Sequence, residues 1–256
     1  MTTGSREAKH LEAANLLLNA RRTATPIDEL PVELQAATLE EAYAIQDIMA
    51  EAYGPIGGWK VGAPTPEATP VFAPMPKRWI AASGSKLSGA TWRYRGLEAE
   101  IAFLMGEDLP PRSTTYSMEE VVAAIESCHP AIEVIESGLA APLEANRMSM
   151  IADMQIHGGF IYGPAVADWQ SIDFAKESVA LTVDGVVRVE RTGSNTSGNL
   201  MRLLPWLANE GAHRTGGLKR GDWITTGSWI GLVQASVGAD VKIHFSTAGR
   251  ADLCYA

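Results

Sequence analysis

Basic residues are in short supply: 21 Lys and Arg stand against 30 Asp and Glu, a formal charge of -9 at pH 7. Neutralising phosphate takes clustered Lys and Arg, so this balance argues against nucleic acid or an anionic membrane as partner. Long apolar runs are missing too, with nothing approaching the ~20 residues of a membrane span. Acidic residues occupy the first helical segment, where a secretory signal needs an unbroken apolar stretch. A cytoplasmic protein is expected. Cysteine is almost absent: Cys128 and Cys254 lack metal-site spacing and read as a packed thiol and a tail thiol. Without export, the sequon Asn195-Thr196-Ser197 carries no weight. Gly-x-Gly-x-x-Gly, Gly-Lys-Ser, Gly-x-Ser-x-Gly and His-Glu-x-x-His are all lacking, as are repeats and low-complexity tracts. What remains is 256 residues, 46% hydrophobic, enough for one sizeable core or a main domain with a small appendage. Small-molecule chemistry suits such a chain best.

Caps and periodicity organise it. Leu11, Ala14 and Leu17 or Leu18 predict a helix over residues 5–22, followed by a loop from Thr23 to Pro31. Thr38 and Glu41 form a capping-box pattern for a helix through Ile45 and Met49 that ends near Gly54-Pro55, and Ser117 with Glu120 repeats it. Beyond that helix the chain alternates mainly with period two: Val179, Leu181 and Val183 before the turn Asp184-Gly185, then Val241, Ile243 and Phe245. A helix around Leu200–Glu210 interrupts the sheet, with Pro205 kinking it or sitting in its first turn.

Three acids stand out. On a strand, Glu98 and Glu100 leave one face while Leu97, Ala99, Ile101, Phe103 and Met105 fill the other, and Glu133 sits alone among Ile132, Val134 and Ile135. Carboxylates held close in apolar surroundings repel unless a cation sits between them. Oxygen-only ligands favour a hard ion, Mg2+ or Mn2+. The competing reading is a pair of solvated glutamates on an edge strand. Lys60, framed by Gly57-Gly58-Trp59 and Val61-Gly62, could pair with a substrate carboxylate or exchange a proton, or simply snorkel from a strand end. Five histidines are scattered: His10, His129, His157, His213 and His244. Of these, His157 precedes Gly158-Gly159, glycines that permit close backbone approach to a ligand.

In their order along the chain these fragments resemble the 2-keto-4-pentenoate hydratase and 4-oxalocrotonate decarboxylase family of the fumarylacetoacetate hydrolase superfamily. They are Thr38 to Gln46, Gly58-Trp59-Lys60-Val61-Gly62, Glu98 to Phe103, Ala131-Ile132-Glu133, Trp206 to Asn209, Leu218 to Asp222 and Thr226-Gly227-Ser228. The resemblance implies an α+β fold: a mixed, curled β-sheet roll over residues 81–256 after a small, mainly helical region over 1–80. It implies that Glu98, Glu100 and Glu133 hold Mg2+ or Mn2+ and that Lys60 lies at the substrate. Lys60, Asp153 and His157 are candidate catalytic residues; Gly159, Ser228 and Trp229 join Lys60 as candidate substrate contacts. The implied reaction is hydration of a 2-hydroxy-2,4-dienoate, or its 2-oxo-4-enoate tautomer, to a 4-hydroxy-2-oxo acid in aromatic catabolism. Decarboxylation of a 2-oxo-enedioate is the natural alternative, with C–C bond hydrolysis or an altered reaction behind it. An inert binding protein keeping a structural ion is the non-enzymatic reading. A homo-oligomer is expected. The chain departs from the family at Met154-Gln155-Ile156-His157, at Ala63-Pro64-Thr65-Pro66 and at Trp229, where added aromatic and apolar surface suggests a bulkier, less polar substrate.

Overall fold

Thr38 starts a helix as its spacing predicts: its hydroxyl accepts the Glu41 N–H at 3.2 Å. The returning half of the box moves outward, because the Glu41 carboxylate takes the N–H of Ala37 rather than that of Thr38. At Ser117 the reciprocal box is complete. The computed structural model describes residues 3–211, 214 and 216–256 and holds five α-helices among them, of which the second, third and fourth have a side-chain N-cap. They are α1 (Thr3–Thr23), α2 (Leu39–Tyr53), α3 (Met118–Ala123), α4 (Arg147–Ala152) and α5 (Leu203–Trp206). His213 lies outside the described residues. Around Pro205 the winding passes from 3-10 through α to a π turn at Leu207–Gly211, so the interrupting helix exists but is irregular. None of the described helices is long and apolar enough to cross a membrane.

The strands are β1 (Ile56–Gly62), β2 (Val71–Pro76), β3 (Ile80–Ala82), β4 (Ser85–Leu87), β5 (Gly96–Met105), β6 (Ile125–Ile135) and β7 (His157–Tyr162), then β8 (Ser178–Val183), β9 (Val186–Thr192), β10 (Trp223–Thr225), β11 (Val233–Gln234), β12 (Asp240–Phe245) and β13 (Gly249–Tyr255). The larger sheet runs β2-β1-β10-β5-β6-β7-β3 with β11 added to β5; the smaller runs β4-β13-β12-β8-β9. Both are mixed: β1 with β10, β3 with β7 and β4 with β13 are parallel, the other pairs antiparallel. The fold is α+β. The helical part ends at Tyr53, and the pairs β1–β2 and β1–β10 carry the larger sheet across the boundary expected at residue 80. Both β1 and β2 are buried on two faces and rich in Gly or Pro, so neither shows the alternation that marks a strand in sequence.

β5 lies between β10 and β6, not at an edge. Leu97, Ala99, Ile101, Phe103 and Met105 are fully buried in the main core, as their alternation predicts. The opposite face carries Glu98 and Glu100, then Ala102 in a second apolar cluster with Met75, Ala131, Phe160 and Trp223. A central strand of a rolled sheet is covered in this way on both sides.

Candidate metal centre

The antiparallel register of β5 and β6 sets Glu98 directly opposite Glu133, with Glu100 one step along the same face opposite Ala131. One carboxyl oxygen from each of the three glutamates lies within 4.8 Å of the others. Glu100 and Glu133 are buried and Glu98 is partly exposed, so the cluster has an open side. Lys60 arrives from β1 because β10 separates β1 from β5, its Cα in register with Thr225 and that of Thr225 with Ala102. The Lys60 ammonium sits 2.6 Å from Glu133 Oε1 and donates to the Gln155 carbonyl at 3.1 Å.

His157 reaches the cluster through a β-bulge. Val134 pairs with Gly159 but Ile135 pairs with His157, so the extra residue, Gly158, changes the parity of β7. Regular alternation would put His157 and Phe160 on opposite faces; the bulge puts both on the side of Glu133. The imidazole Nδ1 lies 2.8 Å from Glu133 Oε1. Burial would raise the pKa of Glu133, yet Lys60 above all, then His157, hold it at about 2. An ionised Glu133 can only accept, so Nδ1–H donates and Nε2 keeps its lone pair. Burial raises Glu98 to about 7 against the pull of Lys60, and lifts Glu100 well above the usual carboxylate range with Glu133 and Glu98 adding to it. Lys60 is raised because the three carboxylates, Glu133 first, outweigh its burial. Glu133 Oε2 is buried and has no hydrogen-bond partner among the described residues. Three crowded oxygens, two of them disfavoured as anions, and an orphaned third-ligand oxygen fit a hard divalent cation. Thr225 and the Gly227 N–H, the latter at 2.9 Å, orient Glu100 through its Oε2.

Other expected site residues lie elsewhere. The Asp153 carboxylate is fully buried and taken up by Arg21 Nε at 2.5 Å, the Ser137 hydroxyl at 2.5 Å and the Gly138 N–H at 2.9 Å, leaving it no free oxygen for a substrate. Gly159 faces Val134 and Trp92, on the opposite side of β6 from Glu133. The Ser228 hydroxyl closes its own turn, donating to the Gly231 carbonyl at 2.8 Å and accepting the Ile230 N–H. Trp229 is 1% exposed and packs edge-on to Phe245 in the main core. Sequence reasoning passed over Gln155, Thr225 and Arg21. Thr225 borders the quoted Thr226-Gly227-Ser228, a usable signal; Arg21 meets Asp153 across 132 positions, which no local pattern reveals. A cleft of about 570 Å³ lies among Arg21, Tyr53, Trp79, Trp92 and Arg93, and none of the three glutamates lines it.

No protein-family model matches the chain. It is 24% identical over 260 residues to a 2-keto-4-pentenoate hydratase of Paraburkholderia xenovorans, covering 97% of this chain and 94% of that protein. It is also 24% identical over 253 residues to a 4-oxalocrotonate decarboxylase of Pseudomonas putida, covering 94% and 92%. Among solved structures, a Pseudomonas putida 4-oxalocrotonate decarboxylase complexed with magnesium and adipate superposes with a TM-score of 0.83 at 22% identity, over 100% of this chain and 99% of that one.

Proposed function

We propose that this chain, similar over nearly its whole length to 2-keto-4-pentenoate hydratases and 4-oxalocrotonate decarboxylases, is a divalent-metal-dependent lyase of that family. A 2-hydroxy-2,4-dienoate gains a proton at the far end of its diene and loses the one on the C2 oxygen, and the resulting α,β-unsaturated 2-oxo acid adds water at C4 to give a 4-hydroxy-2-oxo acid. The observation that carries this reading is the meeting of Glu98, Glu100 and Glu133 oxygens within 4.8 Å.

Mg2+ or Mn2+ held by these three residues would supply Lewis acidity toward the carboxylate and C2 oxygen of the substrate. Lys60 has three N–H donors, and Glu133 and Gln155 engage two, so one is left for the substrate carboxylate or for moving a proton along the dienol. His157 Nε2 and Gln155 Oε1 are buried acceptors with no partner among the described residues. An acceptor pair of this kind suits the attacking water: Gln155 Oε1 would orient it, and His157 Nε2 would take one proton as oxygen adds at C4 and return it to C3. Partial exposure of Glu98 gives the substrate a way in. Decarboxylation of a 2-oxo-enedioate is the second reading, favoured by the equally full-length likeness to a decarboxylase.

The test is to strip the protein with chelator, restore Mg2+ or Mn2+, and follow dienoate absorbance. Metal-dependent loss of absorbance with a hydroxy-oxo acid as product supports hydration; release of carbon dioxide selects the second reading. No turnover of any dienoate sinks both.

A further inference from the structure

Three successive non-glycine residues, Met154, Gln155 and Ile156, adopt left-handed backbone with φ of 55, 49 and 57°. One of them is β-branched. Such a run is unfavourable and persists only where its surroundings over-determine it. It is also the segment that offers the Gln155 carbonyl to Lys60 at 3.1 Å and the His157 imidazole to Glu133 at 2.8 Å. Both ends of the run are fastened by one side chain from α1. Arg21 Nη2 donates to the Asp153 carbonyl at 2.8 Å and Nη1 to the His157 carbonyl at 2.9 Å, while Nε meets Asp153 Oδ1 at 2.5 Å. The other Asp153 oxygen is tied to Ser137 and to Gly138, just past the end of β6. Only a planar guanidinium can span two backbone carbonyls and a carboxylate in this way; an ammonium has no such fork. Arg21 itself bonds to none of Lys60, Glu98, Glu100 or Glu133 among the described residues.

We propose that Arg21 is a positioning residue: by bridging Asp153 and the His157 carbonyl it locks the left-handed run and so sets Gln155 against Lys60 and His157 against Glu133. This rests on the reading of the glutamate cluster as the active site, and it makes the first helix part of the catalytic apparatus. Arg21 also lines the cleft of about 570 Å³, so a small guanidinium added from solution can reach its place.

Arg21→Ala and Arg21→Lys decide it, compared with the wild type by hydrogen exchange, Mn2+ affinity and dienoate kinetics. We expect exchange over residues 153–158 to quicken about tenfold in both variants while β5 is unchanged. kcat should fall about 100-fold with KM close to wild type, and Mn2+ should still bind. Added methylguanidinium should restore slow exchange and kcat together in Arg21→Ala. Should Arg21→Ala fail to fold, Arg21→Lys keeps the charge and tests the fork alone. Wild-type exchange and kcat in Arg21→Lys would overturn the proposal, as would activity losses that merely track the unfolded fraction. Exchange needs no turnover: if the wild type hydrates no dienoate, the lyase reading falls while the exchange data still judge Arg21.

Discussion

Glu98 and Glu133 are alike in chemistry and opposite in consequence. Glu133 balances the Lys60 charge and accepts from the neutral His157 imidazole, so Glu133→Gln leaves a buried ammonium without its partner. Loss of about 3–5 kcal/mol is expected from a broken buried pair, read by denaturant unfolding in chelator. Glu98 has no such partner and repels its neighbours, so Glu98→Gln should leave metal-free stability unchanged or slightly higher while abolishing metal binding and turnover. Equal destabilisation by both changes would contradict this division of roles. Lys60→Met should retain metal, measured by calorimetry, and lower kcat/KM by about 10²–10⁴-fold, as for loss of a group that moves a proton. The acids were legible in sequence because strand alternation separates Glu98 and Glu100 from a wholly apolar face. The pairing of Asp153 with Arg21 was not legible, because the two lie 132 positions apart.

At the scale of elements, the bulge at Gly158 is the step that aims His157. A Cβ there would stand 2.5 Å from Glu136 Cβ and 2.9 Å from its backbone N, inside the distance real atoms tolerate. Gly158→Ala should therefore cost about 1–3 kcal/mol by overpacking and weaken activity beyond the folded fraction; a variant of wild-type stability and rate would refute the close approach. The edge strand β9 is handled differently. Val186 and Val187 are more than half exposed, and a bulge leaves Arg188 unpaired between Val187 and Val189. Bulges and charges on an edge discourage pairing with another chain. Deleting Arg188 should restore a regular edge and promote association, visible in light scattering. Capped helices and the Asp184-Gly185 hairpin were readable because each rests on a few neighbouring residues. The turn residues take φ of 52 and 76°, as a tight hairpin requires. β1 and β2 were not readable, since two-sided burial erases alternation and β10, which ties β1 into the sheet, is far away in sequence.

For the molecule as a whole, the glutamate cluster couples metal to stability. A cation that binds only the folded state at 100 times its Kd adds about 2.7 kcal/mol, so chelator should lower the melting temperature and Mg2+ restore it. An unchanged melting curve would argue against a site that binds tightly. The order β1-β10-β5 has a further consequence, for how such a protein comes into being. β10 enters late in the chain yet lies between two early strands, and Thr225 and Gly227 immediately grip Glu100. On the ribosome, Lys60 and the glutamates emerge long before the strand that lets them face one another. Sheet closure must wait for a distant insertion, a slow route for a chain to take. Synthesis that stalls before residue 223 would leave the glutamates paired across β5 and β6 but parted from Lys60, with Glu100 unheld by Thr225 and Gly227.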